Sequence, residues 1–136
     1  RVLTIERSPL RLVRARGEPL SARAVVLAIG GLAGGGIVLA EPGSLRAFRA
    51  SLSGPFDLEL DGHVLDSVGS MAGPSFEKAG IGALERVGIR TDALGAVPGV
   101  PGLFACGDAR GSAPRGVLAA LASGIEAGSA AARFGR

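Results

Sequence analysis

The stretch Gly102-Leu103-Phe104-Ala105-Cys106-Gly107-Asp108-Ala109-Arg110-Gly111 carries the most structural information in this chain. Leu103 to Cys106 are all residues of the buried type, and the run stops abruptly at Gly107-Asp108. A short apolar run bounded by glycine reads as a buried strand. A small-residue pattern with helical spacing follows, from Gly116 to about Phe134. A strand that ends at a glycine, presents one carboxylate and leads into a helix is a ligand-binding arrangement. The glycine lets a ligand approach the backbone, and the carboxylate accepts hydrogen bonds from hydroxyls. The helix amides behind it favour negative charge.

A second run of the same kind lies upstream. Ala24-Val25-Val26-Leu27-Ala28-Ile29 is continuously apolar and closes on Gly30-Gly31. It suits a parallel strand buried on both faces. Ahead of it, residues 1–6 alternate as a strand, and Leu10 to Ala15 form a second. Gly17-Glu18-Pro19 makes a turn and Leu20 to Ala22 a short third strand, so an antiparallel meander feeds the buried one. In open α/β sheets, ligands sit beyond the carboxyl ends of strands. If the 24–29 and 103–106 strands are neighbours, their glycine ends face one crevice.

The middle of the chain is less patterned. Gly34-Gly35-Gly36 reads as a flexible or ligand-hugging loop, and Leu45 to Leu52 as a helical turn or two. Phe56 to Leu60 alternates, Asp61-Gly62 is a hairpin turn, and Val64-Leu65 begin the returning strand. Pro74-Ser75 open a helix with its apolar stripe at Phe76, Ala79, Ala83, Leu84 and Val87, capped by Gly88. Gly80 and Gly82 weaken it by up to ~1 kcal/mol each relative to Ala. Ala93 to Pro101 is a Pro/Gly-rich link. In the last helix Leu118, Leu121, Ala122, Ile125, Ser129 and Ala132 share one broad face, and Ala120, Gly124 and Gly128 form a row of small residues. That row predicts close packing on a sheet; Glu126 and Arg133 argue against a membrane dimer.

Composition narrows the function classes. A chain of 136 residues is one domain with a real core. It is 47% hydrophobic with a mean hydropathy of +0.39. No apolar run reaches the ~18 residues of a membrane span; the nearest, Ala24 to Ala40, is broken by five glycines. Arg1, Glu6 and Arg7 do not read as a signal peptide, and the absent initial Met reads as a piece of a longer protein. Net charge is +3, from 14 arginines, one lysine and 12 acids. No aromatic residue interleaves the arginines, so they read as solvated strand faces rather than a nucleic-acid surface. A lone cysteine, Cys106, excludes an intrachain disulfide or a Cys-cluster metal site and fits a reducing, cytoplasmic compartment. Glycine is abundant, 23 residues against a typical ~7%, and clusters at strand ends and turns.

These motifs carry a family resemblance. The meander followed by Val25-Val26-Leu27-Ala28-Ile29-Gly30-Gly31 resembles the second glycine motif of two-dinucleotide-fold flavoproteins, usually written Ala-Thr-Gly-Gly; here Ile29 replaces the customary threonine. Gly102 to Asp108 resembles the final flavin motif of FAD-dependent oxidoreductases. Over most of residues 22–134 the chain is most similar to a flavoprotein subunit of anaerobic glycerol-3-phosphate dehydrogenase. The glycine segment Gly30 to Ile37, Glu41-Pro42 and Gly88-Ile89-Arg90-Thr91-Asp92 recur in that order. This chain keeps an acid at Asp108, where such subunits often lack one.

The resemblance implies an α/β chain that is part of a doubly wound FAD/NAD(P)-binding fold. Residues 1–31 are its meander and buried strand, 32–73 a loop and cap-like segment, and 74–136 the helix, flavin-motif strand and final helix. It implies FAD, rather than FMN, as cofactor. Asp108 would accept from the ribitol hydroxyls, with Gly30, Gly31 and Gly107 allowing close approach. The Gly116 and Val117 amides would face the flavin pyrimidine edge beside Arg115, with Arg110 a weaker candidate. The N-terminal Gly-x-Gly-x-x-Gly that cradles the pyrophosphate in relatives is absent from this chain. The expected partners are therefore a missing N-terminal flavin-binding segment or a partner subunit, and a small-molecule substrate; these residues alone would not retain FAD. Hydride transfer to flavin is the implied chemistry, in the cytoplasm or peripherally at a membrane through a partner. An electron-transfer flavin subunit and a remnant without flavin stand as alternatives. No catalytic base and no metal ligands are legible. His63 reads as hairpin surface and Cys106 as buried filler.

Overall fold

The computed structural model describes residues 2–39, 48–65 and 81–136. They form a mixed α/β fold of several small sheets and one C-terminal helix. The expected meander is present: β1 (Val2–Arg7), β2 (Leu10–Arg14) and β3 (Leu20–Ser21) pair antiparallel in chain order. Ser53 ties it to the rest of the molecule, donating to the Leu3 carbonyl (2.9 Å) and accepting from the Ile5 amide (2.8 Å).

The two apolar runs are neighbours. After β4 (Val25–Leu27) come β5 (Ile37–Leu39), β6 (Phe48–Ala50), β7 (Leu58–Leu60), β8 (His63–Val64), β9 (Gly88–Ile89), β10 (Leu103–Ala105) and the helix α1 (Val117–Phe134). β4 and β10 pair in parallel, with Val25, Val26 and Leu27 opposite Leu103, Phe104 and Ala105. Leu27, Leu103 and Ala105 join the main core, while Phe104 and Val26 pack with Ala127 and Ala131 of α1. Apolar layers on both sides explain why neither run alternates in sequence. The cover is incomplete over β4, where Val25 and Val26 are only half-buried.

Three expected helical features differ. Residues 48–50 are strand β6, paired antiparallel with β5, 51–52 form a bend, and the start of the expected turn, 45–47, lies outside the described residues. Phe48 is wholly buried in the main core, and that long-range packing overrides a weak local pattern. The expected helix from Pro74 lies outside the described residues as far as 80; Ile81–Arg86 is a 3-10 helix. Gly88 belongs to β9, with its Cα pressed against the Arg110 backbone, where a side chain has no room.

The third difference is in α1. It docks through Ser123, Ala127 and Ala131, leaving Leu118 83%, Leu121 59% and Ile125 63% exposed. The expected small-residue row does not make the close approach either, for Gly124 and Gly128 face open space. Phe104 projects from β10 toward the helix and meets Phe134 edge-on at 6.4 Å. With that ring in the gap, small residues are what the docking face can carry.

The predicted hairpin is confirmed. Asp61 (φ 49°) and Gly62 (φ 81°) make the tight turn between β7 and β8, both with the positive φ that such a hairpin turn requires. β9 pairs with the other edge of β7. This makes β7 a central strand whose three residues, Glu59 included, are all buried. The 93–101 link is a folded turn: Asp92 Oδ1 accepts from the Leu94 (2.9 Å) and Ala96 (2.8 Å) amides, and Val97 and Val100 are buried. No described helix is long and apolar enough to cross a membrane.

Candidate functional site

Because β4 and β10 are parallel, their carboxyl ends share one edge of the sheet. The chain leaves β4 through Gly30-Gly31 and leaves β10 through a 3-10 turn, Gly107–Ala109. The two exits touch. A Cβ on Gly31 would lie 2.6 Å from the Asp108 carbonyl oxygen and 3.2 Å from its Cβ. Glycine at 31 is thus what lets Asp108 sit against the first motif. The following loop folds back on itself, with the Gly36 (3.0 Å) and Ile37 (3.2 Å) amides both donating to the Gly31 carbonyl.

Arg115 holds this corner. Its guanidinium donates to the carbonyls of Asp108 (2.6 Å) and Val87 (3.4 Å) and stands 3.9 Å from Asp108 Oδ1. Burial draws its pKa below the usual arginine value, opposed by the nearby Asp108 and Glu85 carboxylates. The residues Gly31, Leu32, Ala33, Glu85, Asp108 and Arg115 line a cavity of about 220 Å³. Two buried polar atoms of these residues, Asp108 Oδ1 and Arg115 Nε, have no hydrogen-bond partner. Leaving such a group unpaired costs about 1–3 kcal/mol. A group that both donates and accepts, such as a hydroxyl, would complete this acceptor and donor.

The other expected residues take different positions. Gly107 (φ 60°) donates its amide to Ser123 Oγ (2.9 Å), which in turn donates to the Ala120 carbonyl (3.1 Å). That amide is therefore engaged by α1. Gly116 caps α1 and Val117 is 85% exposed, so the helix start is open and neither residue lines the Asp108 cavity. Arg110 turns toward the 91–93 loop, where it donates to Thr91 Oγ1 (3.1 Å) and to the carbonyls of Asp92 (3.0 Å) and Ala93 (3.4 Å). Burial raises the Cys106 thiol pKa, with Arg110 opposing, which favours the thiol over the thiolate. His63 is exposed on β8. Among the described residues no cluster of His, Cys, Asp and Glu could hold a metal ion.

Glu59 was not legible as a site residue. It is 8% exposed, and its carboxyl is pushed above the usual range by burial, with Arg90 and Arg110 acting the other way. Its side chain lies against Gly111, where a Cβ would collide with it. The alternation of 56–60 assigns Glu59 to the solvent face. Only the β9 pairing and the return of the chain at Gly111 bury it. It lines a second, larger cavity of about 450 Å³.

Comparison with family models, curated proteins and solved structures finds no match to this chain.

Proposed function

We propose that this chain supplies the ribitol-facing part of an FAD site in an FAD-dependent oxidoreductase of the doubly wound class. The observation that carries the reading is the meeting of Gly31 with Asp108 around an Asp108 Oδ1 that has no hydrogen-bond partner among the described residues. Asp108 accepts from a ribitol hydroxyl, and Arg115 Nε donates to a hydroxyl oxygen beside it. Arg115 also fixes the Asp108 backbone through its 2.6 Å contact, so the carboxylate is positioned before a ligand arrives. A cavity of about 220 Å³ takes a polyol chain but not a whole dinucleotide, since drug-sized ligands fill about 300–1,000 Å³. The flavin ring and pyrophosphate therefore need further walls. The pyrophosphate-binding glycines of a preceding segment or of a partner protein would provide them, and the exposed apolar start of α1 (Val117, Leu118, Leu121) is a surface such a wall would cover. The bound flavin would supply hydride acceptance from a small-molecule substrate, with a role like that of the glycerol-3-phosphate dehydrogenase flavoprotein the nearest specific case.

The test is the flavin content of the protein purified from its complete natural reading frame. The expected result is the absorbance of oxidised flavin, with Asp108→Ala weakening retention about tenfold or more, the loss of one charge-assisted hydrogen bond. A flavin-free protein, or an Asp108→Ala variant that retains flavin unchanged, would overturn the proposal.

A further inference from the structure

The 450 Å³ cavity lies outside the Asp108 site and shares no lining residue with it. We infer that it binds a small organic cation, an ammonium or guanidinium group on a short aliphatic body. Its size falls within the range of small-molecule pockets. Four elements meet around it: β7 through Glu59, the 91–93 loop, the 110–114 loop, and the first half of α1 through Ala119, Ala122, Ser123 and Glu126.

Charge sets the ligand's sign. Among the described lining residues Glu59, Asp92 and Glu126 stand against one cation, Arg110, with Arg90 acting on Glu59 from outside the lining. Arg110 is turned into its own wall by its bonds to Thr91 and to the Asp92 and Ala93 carbonyls. Asp92 likewise gives Oδ1 to two backbone amides. Among the described residues no side-chain hydrogen bond or ion pair engages the Glu59 or Glu126 carboxylate, so these two can meet a ligand. A buried carboxylate is costly unless a positive or strongly donating group faces it. Arg90 and Arg110 offset part of that cost for Glu59, yet burial remains the dominant influence on it. A ligand cation is the group that completes the compensation.

The walls set the ligand's body. Ala93, Ala113, Pro114, Ala119 and Ala122 present small apolar surfaces, and among the described residues no aromatic ring lines the cavity. An aliphatic chain packs there, whereas a quaternary ammonium, which favours an aromatic cage, has nothing to stack on. Gly111 keeps Glu59 aimed inward, because any side chain at 111 would displace it.

The experiment uses n-butylguanidinium and n-butyrate, which carry opposite charges on short unbranched aliphatic chains of similar length. Each is titrated into the isotope-labelled protein at pH 7 and followed by amide chemical shifts. Saturable shifts are expected for n-butylguanidinium at residues 91–93 and 110–114 and at Ala119 to Glu126, and none for n-butyrate. Glu59→Gln is expected to weaken binding about tenfold or more. Two variants at exposed helix positions keep the test independent of folding: Glu126→Gln should weaken binding several-fold, and Ala122→Phe should block it by filling the mouth. Absence of saturable n-butylguanidinium shifts would overturn the inference, as would equal binding of n-butyrate or an unchanged affinity in Ala122→Phe. Flavin content is read separately in the same variants. It is expected to be unaffected, so loss of either reading leaves the other standing.

Discussion

Glu59 shows how one residue can cost stability and still be retained by the geometry around it. Burial raises its pKa, so the folded chain holds that proton more tightly than the unfolded chain does. Its contribution to stability is therefore fully present below the ordinary glutamate pKa and is lost as pH rises through the elevated folded value. Glu59→Gln is neutral at every pH. Urea titrations should find this variant more stable than the parent at pH 7, with the difference closing toward pH 4; a gap that does not change with pH would refute the burial argument. Gly31 makes the opposite case. Gly31→Ala drives a methyl group to 2.6 Å from the Asp108 carbonyl, and overpacking of this kind costs typically about 1–3 kcal/mol. Asp61 has a milder role. Its bidentate pair with Arg86 (2.8 and 2.9 Å) is largely solvated, and the Arg86 hydrogen bond holds the Asp61 carboxyl below its usual range. Asp61→Asn keeps a side chain that tolerates the positive φ and should leave the urea midpoint nearly unchanged, as expected for a solvated surface pair.

At α1 the unit of argument is the docking face. Ser123 satisfies the Gly107 amide from within that face, so Ser123→Ala leaves a part-buried donor unpaired and should cost about 1–3 kcal/mol by chemical denaturation. The faces of the same helix should respond in opposite ways to substitution. Ile125→Lys adds charge at an exposed position and should change stability by no more than about 0.5 kcal/mol. Ala127→Leu forces volume under the wholly buried face against Phe104 and should cost several times as much. Equal effects at 125 and 127 would refute the docking face described here. The helix itself was readable because its spacing is periodic over 18 residues. Its orientation was not, since the larger apolar residues lie on the side away from the sheet.

Across the molecule, the largest fully buried side chains come from different sheets: Ile37 and Phe48 from β5–β6, Leu60 and Ile89 from β7–β9, and Leu103 from β10. They form one core, which Ile5 and Leu10 of the meander join, so the small sheets of the described residues are held together by side chains more than by continuous ladders. Such small sheets are marginal alone and depend on that shared packing. Phe48→Ala should therefore destabilise the whole chain by about 3–5 kcal/mol, with the β7–β8 hairpin and the β4–β10 pair losing amide protection together. Protection lost only at β5–β6 would mean that the sheets unfold independently.

Short-range chemistry is enough for much of this fold. The meander, the Asp61-Gly62 turn, the 103–105 strand and the C-terminal helix follow from alternation, turn residues and periodicity within a few positions of one another. The coming together of Gly30-Gly31 with Gly107-Asp108 was readable only on the condition that the two apolar runs are neighbours, and the parallel β4–β10 pairing meets that condition. Contacts between residues far apart in the chain settled the rest. Strand β6 exists because Phe48 enters the core and Arg49 pairs with Val38. Glu59 is inside because β9 closes over its strand and Gly111 returns beside it. Arg115, expected beside the start of the last helix at the flavin edge, instead anchors Asp108 because the chain turns back between β10 and α1. Local preferences amount to fractions of a kcal/mol per residue, and burial and close packing amount to several, so wherever the two disagreed the long-range contact prevailed.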